Sequence, residues 1–364
     1  MLKSLGLFFI ISPLIAFGQL KITGKIIDRA DKKPIPGASI FLSNASAGTA
    51  SAVDGSFTIS NVRGGQYELV VSMVGYETFR QTLLVNDNIK LPVIEISAKV
   101  NALKEVSIRP DPEWERNYDM FRREFLGTSD YARQCKIINP EVIDIHFDEN
   151  SRELTATSLD FIEIENKAMG YRVKYKLDTF SKNFHTAILY YAGSAWFENM
   201  PGKKGQLSRW AKNRLRVYKG SSMHFLRSII TDQLPEEGFS ILTLVRKPNP
   251  DYKGGLGAPY FETLVAHPYL KADTFVRRTD QKGLFALVFK DCLHVMFNGG
   301  KPIVPGKEDS ARDNVATNII FEKPFALFDN NGIFVDPSSV IFEGEWSKAR
   351  LAELLPVDYE PGAN

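Results

Sequence analysis

Between Lys21 and Lys99 the sequence alternates apolar and polar residues in short runs that are separated by turn signals. The signals include Pro36-Gly37, Asp54-Gly55 and Gly64-Gly65, in which proline fixes φ or glycine accepts a positive φ. Alternation with period two is typical of a strand that buries one face. About seven such strands with regular turn spacing predict a small antiparallel β-sandwich over residues 20–98.

An apolar leader stands directly before this pattern. It has a lysine at position 3, an apolar run from Leu5 to Phe17 and the small-residue pattern Ala16-Phe17-Gly18, which together predict a signal peptide over residues 1–18. The run is shorter than the roughly 20 residues of a permanent membrane helix. We therefore expect an exported protein, periplasmic or associated with the outer membrane, with no transmembrane span in the mature chain.

Several motifs of the sandwich segment are similar to a known family. They are Gly24-Lys25-Ile26-Ile27-Asp28, the segment Pro34–Ile40, Asp54-Gly55-Ser56-Phe57 and Val74-Gly75-Tyr76-Glu77. The segment resembles the carboxypeptidase-regulatory-like domain, a transthyretin-like sandwich of Bacteroidota envelope proteins. The resemblance implies an accessory module without chemistry of its own. Such domains also precede the plug of TonB-dependent receptors, but the ~255 residues after Ile108 are too few for a plug and a transporter barrel.

Beyond a linker at residues 99–112, the sequence predicts a larger antiparallel β-rich domain over 113–356 and a tail at 357–364. An aromatic stripe at Trp114, Tyr118, Phe121 and Phe125 predicts a helix that ends near Gly127. Among the strands, one is predicted at Phe184–Tyr191, and a short closing helix is predicted at Trp346–Leu355. A helical insertion is expected at about residues 203–234. The predicted fold class is therefore mainly β.

Charge and cysteine content narrow the function classes. A formal net charge of +2 gives no overall bias toward nucleic acid, which export also disfavours. The chain has two cysteines, Cys135 and Cys292. In an oxidising compartment they could form a disulfide, and the alternative is two buried thiols that act as small apolar residues.

Signs of catalysis are weak. His146 and Glu149 have the H-x-x-E spacing of a zinc site, and His267 could supply a third ligand. However, His146 lies in an alternating strand, so a residue three positions later faces the other side or lies in the following turn. The chain also lacks a G-x-S-x-G elbow and a phosphate-binding glycine loop. We expect no enzyme activity, no metal and no cofactor.

The strongest local anomaly is the segment 203–219, which has seven Lys or Arg residues and no acidic residue. On a helix, Arg209, Lys212, Arg216 and Lys219 share one face, and the other carries the apolar residues Leu207, Trp210, Ala211, Leu215 and Tyr218. Such a face suits anionic lipid or an acidic partner, and the alternative is a packed helix with a solvated basic side.

These observations predict a non-catalytic cell-envelope binding or scaffolding protein whose partner is an envelope protein, an anionic lipid or a glycan. Two alternatives stay open. One is a metal-dependent hydrolase of peptide or glycan. The other is a glycan-binding accessory protein, which exposure of Trp196 or Trp210 in a shallow groove would favour.

Overall fold

The computed structural model describes residues 20–99, 113–253, 258–265, 268–299 and 315–362. Strands account for 44% and helices for 18%, so the predicted mainly β class is confirmed. The buried apolar residues of the described ranges form three clusters, one in the N-terminal segment and two in the region beyond residue 113. The predicted signal peptide, most of the predicted linker and His267 lie outside the described residues.

The N-terminal segment is a sandwich of two four-stranded sheets, in which β4, β7 and β8 pair with β1 in one sheet and the order is β3-β2-β5-β6 in the other. Ile22, Ile40 and Leu69 are completely buried between them. Eight strands are described rather than the predicted seven, and β7 and β8 pair with β1 in parallel. The strands are β1 (Leu20–Asp28), β2 (Ser39–Leu42), β3 (Gly48–Ala50), β4 (Ser56–Val62), β5 (Gly65–Ser72), β6 (Phe79–Val85), β7 (Ile89–Lys90) and β8 (Ile94–Ile96).

The second core lies between one helix and a six-stranded antiparallel sheet. Phe121 and Phe125 of the helix are fully buried, and the ring of Phe121 meets that of Phe180 edge-on at 4.9 Å. The elements are α1 (Trp114–Leu126), β9 (Cys135–Ile137), β10 (Ile143–Asp148), β11 (Glu153–Ser158), β12 (Ile162–Asn166), β13 (Tyr171–Asn183) and β14 (Leu189–Asn199).

The strand predicted at Phe184–Tyr191 is wrong. Its first half is the turn between β13 and β14, where the side chain of Asn183 accepts hydrogen bonds from the backbone N–H groups of His185 and Thr186. Such local side-chain bonds compete with strand pairing, so the chain reverses there and β14 begins only at Leu189.

The third core is enclosed by a helix, a five-stranded sheet of order β16-β15-β19-β20-β22 and a three-stranded sheet of order β17-β18-β21. Phe225, Phe275 and Phe328 are fully buried in it. The elements that follow β14 are α2 (Lys204–Tyr218), α3 (Ser222–Ile230), β15 (Phe239–Pro248), β16 (Tyr260–Val265), α4 (Ala272–Phe275), β17 (Val276–Arg278), β18 (Leu284–Leu287), β19 (Cys292–Phe297), β20 (Val315–Phe321), β21 (Ala326–Asp329) and β22 (Val340–Gly344).

The closing helix predicted at Trp346–Leu355 is also wrong, because this segment forms two separate 3₁₀ turns at Trp346–Lys348 and Leu351–Glu353. Trp346 packs against the third core, and its indole N–H donates to the Gly220 carbonyl at 2.7 Å. Leu351 belongs to the second core. The chain passes from the third core to the second within five residues. The break between the two turns allows Trp346 and Leu351 to pack into different cores.

The sandwich and the second core are joined by main-chain hydrogen bonds. Asn44, at a φ of 57°, donates its N–H to the carbonyl of Ala195 at 2.7 Å, and Phe197 donates to Ala45 at 3.0 Å. Near the C-terminus, the N–H of Val357 donates to the carbonyl of Asn44 at 2.7 Å. The tail thus closes the junction between the sandwich and the second core. We call the parts of the chain that surround the three cores the first, second and third bodies.

Candidate functional site

The basic segment forms the helix α2, which is held on the protein by its non-basic side. Trp210 is only 3% exposed, and its indole N–H donates to the carbonyl of Lys167 at 2.9 Å. Tyr218 is also buried. At the start of the helix the Gln206 side chain accepts the backbone N–H of Lys203 at 2.9 Å. These contacts fix the rotation of α2 about its axis.

One arginine of the segment has a structural role. The guanidinium of Arg214 lies 3.8 Å from the centre of the Tyr171 ring and donates to the carbonyl of Met169 at 2.8 Å. Arg214 therefore does not contribute to the exposed charge. It fastens α2 to the hairpin turn before β13.

The other side of α2 carries the predicted face, which we name the basic row: Arg209, Lys212, Arg216 and Lys219. All four residues are exposed, and none of their side chains forms an ion pair with a described residue. Their spacing of three, four and three residues extends over about 15 Å of helix. Within the described ranges, the structure therefore leaves a line of unneutralised positive charge at the surface.

The opposite face of α2 differs from the prediction in one residue. Leu207 is 51% exposed instead of packed. It lies in the first turn of the helix, ahead of the region where Trp210 packs against the protein, and no described element covers it.

The basic row ends beside a cavity of about 410 Å³, which we name the junction cavity. It lies where α2, α3, the sandwich and the C-terminal tail meet. The residues that line it are Gly64, Leu215, Tyr218, Lys219, His224, Arg227, Ser228, Ile230, Thr231, Gln233, Glu237, Asn330, Asn331, Glu360 and Pro361.

His224 is a buried titratable group of this cavity. Its Nδ1 accepts the backbone N–H of Gly220 at 3.0 Å, so the ring proton lies on Nε2, which donates to Glu237 at 3.0 Å. Burial lowers the pKa of His224, against the opposing effect of Glu237. The Ser228 hydroxyl donates to the backbone carbonyl of His224 rather than to its ring. Among the described lining residues, no serine is therefore activated by this histidine.

Of the three weak metal candidates, the structure describes His146 and Glu149. His146 lies in β10 at an exposed position, and Glu149 lies in the next turn, paired with Arg116 at 3.2 Å and Arg152 at 3.4 Å. The described ranges contain no group of three or more His, Cys, Asp or Glu side chains that could hold a metal ion. His267 lies outside these ranges, so the three-ligand set is not described.

The two cysteines are free thiols in different sheets. Cys135 begins β9 in the second body, whereas Cys292 begins β19 in the third. Burial raises the pKa of Cys135 to about 12 and also raises that of Cys292. The disulfide considered from the sequence is not formed.

The tryptophans named as sugar platforms are used in packing. Trp210 is buried, as described above. Trp196 is half-buried at the junction, where it stacks on Phe41 of the sandwich at 5.9 Å and carries the ammonium of Lys174 at 4.7 Å from its ring centre. Neither residue supplies an open aromatic surface.

Sequence reasoning missed the junction cavity. His224 and Glu237 are 13 positions apart and have no motif between them, and Gly64 and Glu360 are close to them only because the tail returns to the sandwich. Locally, Ser221 caps α3, and its side chain accepts the N–H of His224 at 3.1 Å.

Comparison with known proteins identifies the first body. Residues 22–108 match the family model of the CarboxypepD_reg-like domain. The N-terminal domain is a CarboxypepD_reg-like domain. This match confirms the resemblance found in the sequence, and such a domain fits a non-catalytic binding or scaffolding role. A search of curated proteins found no match.

Similar solved structures are remote. A type II cohesin–X-dockerin complex from Acetivibrio cellulolyticus is 19% identical with a TM-score of 0.20, and the match covers 22% of this chain and 58% of that one. BcpA, the major pilin subunit of Bacillus cereus, is 9% identical with a TM-score of 0.19 and coverages of 84% and 96%. The first match spans less than two thirds of its counterpart, and scores this low do not establish a shared fold.

Proposed function

We propose that the protein is an exported, non-catalytic binding protein of the cell envelope, and that the basic row holds it on an anionic lipid surface. The observation that carries the proposal is the line of four exposed cations without ion-pair partners among the described residues. The apolar leader of the sequence and the CarboxypepD_reg-like domain support the envelope location. No helix among the described ranges has the length and hydrophobicity to cross a bilayer.

The packing of α2 defines how it would bind. An interfacial helix that inserts into lipid needs a free apolar face. Here that face is occupied by the protein, because Trp210 and Tyr218 are buried. The helix is therefore suited to electrostatic contact with headgroups rather than to insertion.

Lipid is favoured over a protein partner by the composition of the surface. Stable protein interfaces combine charge with an apolar centre. The basic row has no large apolar residue between its four members, and the exposed Leu207 lies toward the opposite side of the helix. A planar array of phosphates requires only the charges.

The size of the effect follows from the number of charges. Each lysine or arginine near an anionic membrane contributes about 1 kcal/mol, so the row contributes about 4 kcal/mol, or roughly a thousand-fold in affinity. Because all four charges are exposed, salt screens them and the affinity falls as ionic strength rises.

Co-sedimentation with vesicles tests the proposal. The chain from Leu20 onward should sediment with an equimolar mixture of phosphatidylglycerol and phosphatidylcholine, but not with phosphatidylcholine alone. Reversal of the row should abolish sedimentation; the variant carries R209E, K212E, R216E and K219E. The matched control reverses four exposed lysines elsewhere that have no ion-pair partner among the described residues, through K21E, K25E, K90E and K282E.

Each result is decisive. Loss of binding in the row variant with retention in the control supports the proposal. Equal loss in both variants would show that net charge rather than the row is responsible. If the unaltered chain does not sediment with anionic vesicles at low salt, the lipid proposal is wrong. Binding of an envelope protein or a glycan is then the hypothesis to test.

A further inference from the structure

The β15–β16 hairpin presents an open strand edge on the third body. β16 is the outer strand of the five-stranded sheet, and no described strand pairs with its outer side. All six of its residues are exposed, including Tyr260 at 43%, Phe261 at 57%, Leu264 at 44% and Val265 at 40%. The hairpin thus places apolar side chains in solvent on both faces of an unpaired edge.

This edge lacks the features by which soluble proteins protect such strands, namely a free lysine, a proline or a bulge. Its one charged residue, Glu262, is held by the guanidinium of Arg246 at 2.5 Å. Arg246 also lies 5.2 Å from the centre of the Tyr260 ring. By comparison, the outer strand β10 carries exposed Asp144, His146 and Asp148. An unprotected apolar edge is a template for strand pairing.

The hairpin register shows which backbone groups point outward. The N–H of Asn249 donates to the carbonyl of Pro259 at 2.9 Å, so these two residues form a hydrogen-bonded pair. Antiparallel pairs alternate, so the next pair, Pro248 and Tyr260, is not hydrogen-bonded, as the missing N–H of proline requires. It follows that Tyr260, Glu262 and Leu264 direct their N–H and C=O groups away from β15.

We propose that β16 pairs antiparallel with β16 of a second copy of this chain, with the two-fold axis at Thr263. In such a pair, each residue whose N–H and C=O groups point away from β15 must lie opposite another residue of this kind. The two-fold axis therefore passes midway between one residue and the same residue of the second copy. An axis at Glu262 would oppose two carboxylates. An axis at Thr263 instead opposes threonine with threonine, Phe261 with Val265, and Glu262 with Leu264.

The Thr263 register is favourable in both backbone and side chains. The backbones of Glu262 in one copy and Leu264 in the other exchange two N–H···O hydrogen bonds. The two-fold axis repeats this pair, which doubles the number of hydrogen bonds between the two strands. Threonine pairs and aromatic pairs with β-branched residues are stabilising across antiparallel strands. The occupant argued here is a second copy because the strand is complementary to itself in a register that places no like charges opposite each other.

Engineered cysteines test the register. In a non-hydrogen-bonded pair the Cα atoms lie about 4.5 Å apart, which suits a disulfide. T263C should therefore form a disulfide-linked dimer on mild oxidation. F261C is the control on the same face, because its two copies would lie four residues out of register, about 13 Å apart. The unaltered chain, with its free Cys135 and Cys292, is oxidised in parallel as the background.

Sedimentation equilibrium of the chain from Leu20 onward tests the association itself. The unaltered chain should show a dimer that dissociates on dilution. L264P removes an outward N–H without breaking the ladder to β15 and should weaken the dimer about tenfold or more. L264V keeps that N–H and an apolar side chain, so it should dimerise normally, and circular dichroism checks that both variants fold.

Dimerisation together with selective crosslinking of T263C supports the proposal. A chain that stays monomeric at all concentrations overturns it, and so does crosslinking of F261C as fast as T263C. Since the basic row is not part of β16, vesicle binding by a monomer would leave the proposed function intact while refuting this inference.

Discussion

The junction between the sandwich and the second body predicts a measurable coupling between Gly48 and Trp196. A Cβ atom added at Gly48 would lie 2.5 Å from the indole of Trp196 and 2.9 Å from the Cβ of Phe41. G48A therefore forces the β2–β3 hairpin away from the indole, at a cost typical of overpacking, about 2 kcal/mol. W196A removes a half-buried ring that stacks on Phe41, at the lower end of the range for large aromatic truncations, about 3 kcal/mol.

The double variant separates this clash from general damage. Without the indole, the alanine methyl group occupies space that the ring has left, and the contact with Phe41 can relax into it. G48A should then cost nothing, or stabilise by about 0.5 kcal/mol through the lower entropy of the unfolded chain. The coupling free energy between Gly48 and Trp196 is therefore about 2 kcal/mol in favour of the double variant.

Urea unfolding followed by far-ultraviolet circular dichroism measures the four free energies of the cycle, because the strand signal does not depend on the tryptophan that is removed. Independent sites add within about 0.5 kcal/mol. If G48A is equally destabilising with and without Trp196, the indole does not press on the hairpin, and the account of this junction is refuted.

Three further predictions follow from single sites. G170A should destabilise by at least about 2 kcal/mol, since Gly170 has a φ of 69° and an added Cβ would lie 2.1 Å from Trp210; a smaller loss in thermal unfolding contradicts that packing. Burial lowers the pKa of His224, so as the pH falls the unfolded state binds a proton at this residue before the folded state does. The free energy of unfolding should therefore fall as the pH drops below about 6.5. H224Q should flatten that part of the curve of stability against pH. Cys135 and Cys292, whose pKa values burial raises, should react slowly with a thiol reagent until urea is added, and detection of fewer than two thiols in the denatured chain would contradict the free state.

Local sequence patterns were sufficient to predict secondary structure where the residues of one segment decide both its conformation and which of its sides is exposed. The sandwich strands and α2 follow from alternation, turn residues and helical spacing, and the exposed basic row follows from the same spacing. The strand predicted at Phe184–Tyr191 failed because an asparagine side chain competes locally with the ladder, and an alternating pattern does not reveal that competition.

Three-dimensional contacts decided the rest. Whether Trp210 faces solvent depends on the carbonyl of Lys167, 43 positions earlier, and whether the junction cavity exists depends on a tail that returns to Asn44. Period and turn chemistry are local properties, so the sequence was enough to predict most strands of the sandwich, the basic helix and the family of the first domain. What covers each face emerged from the fold, because burial results from contacts between residues far apart in the chain.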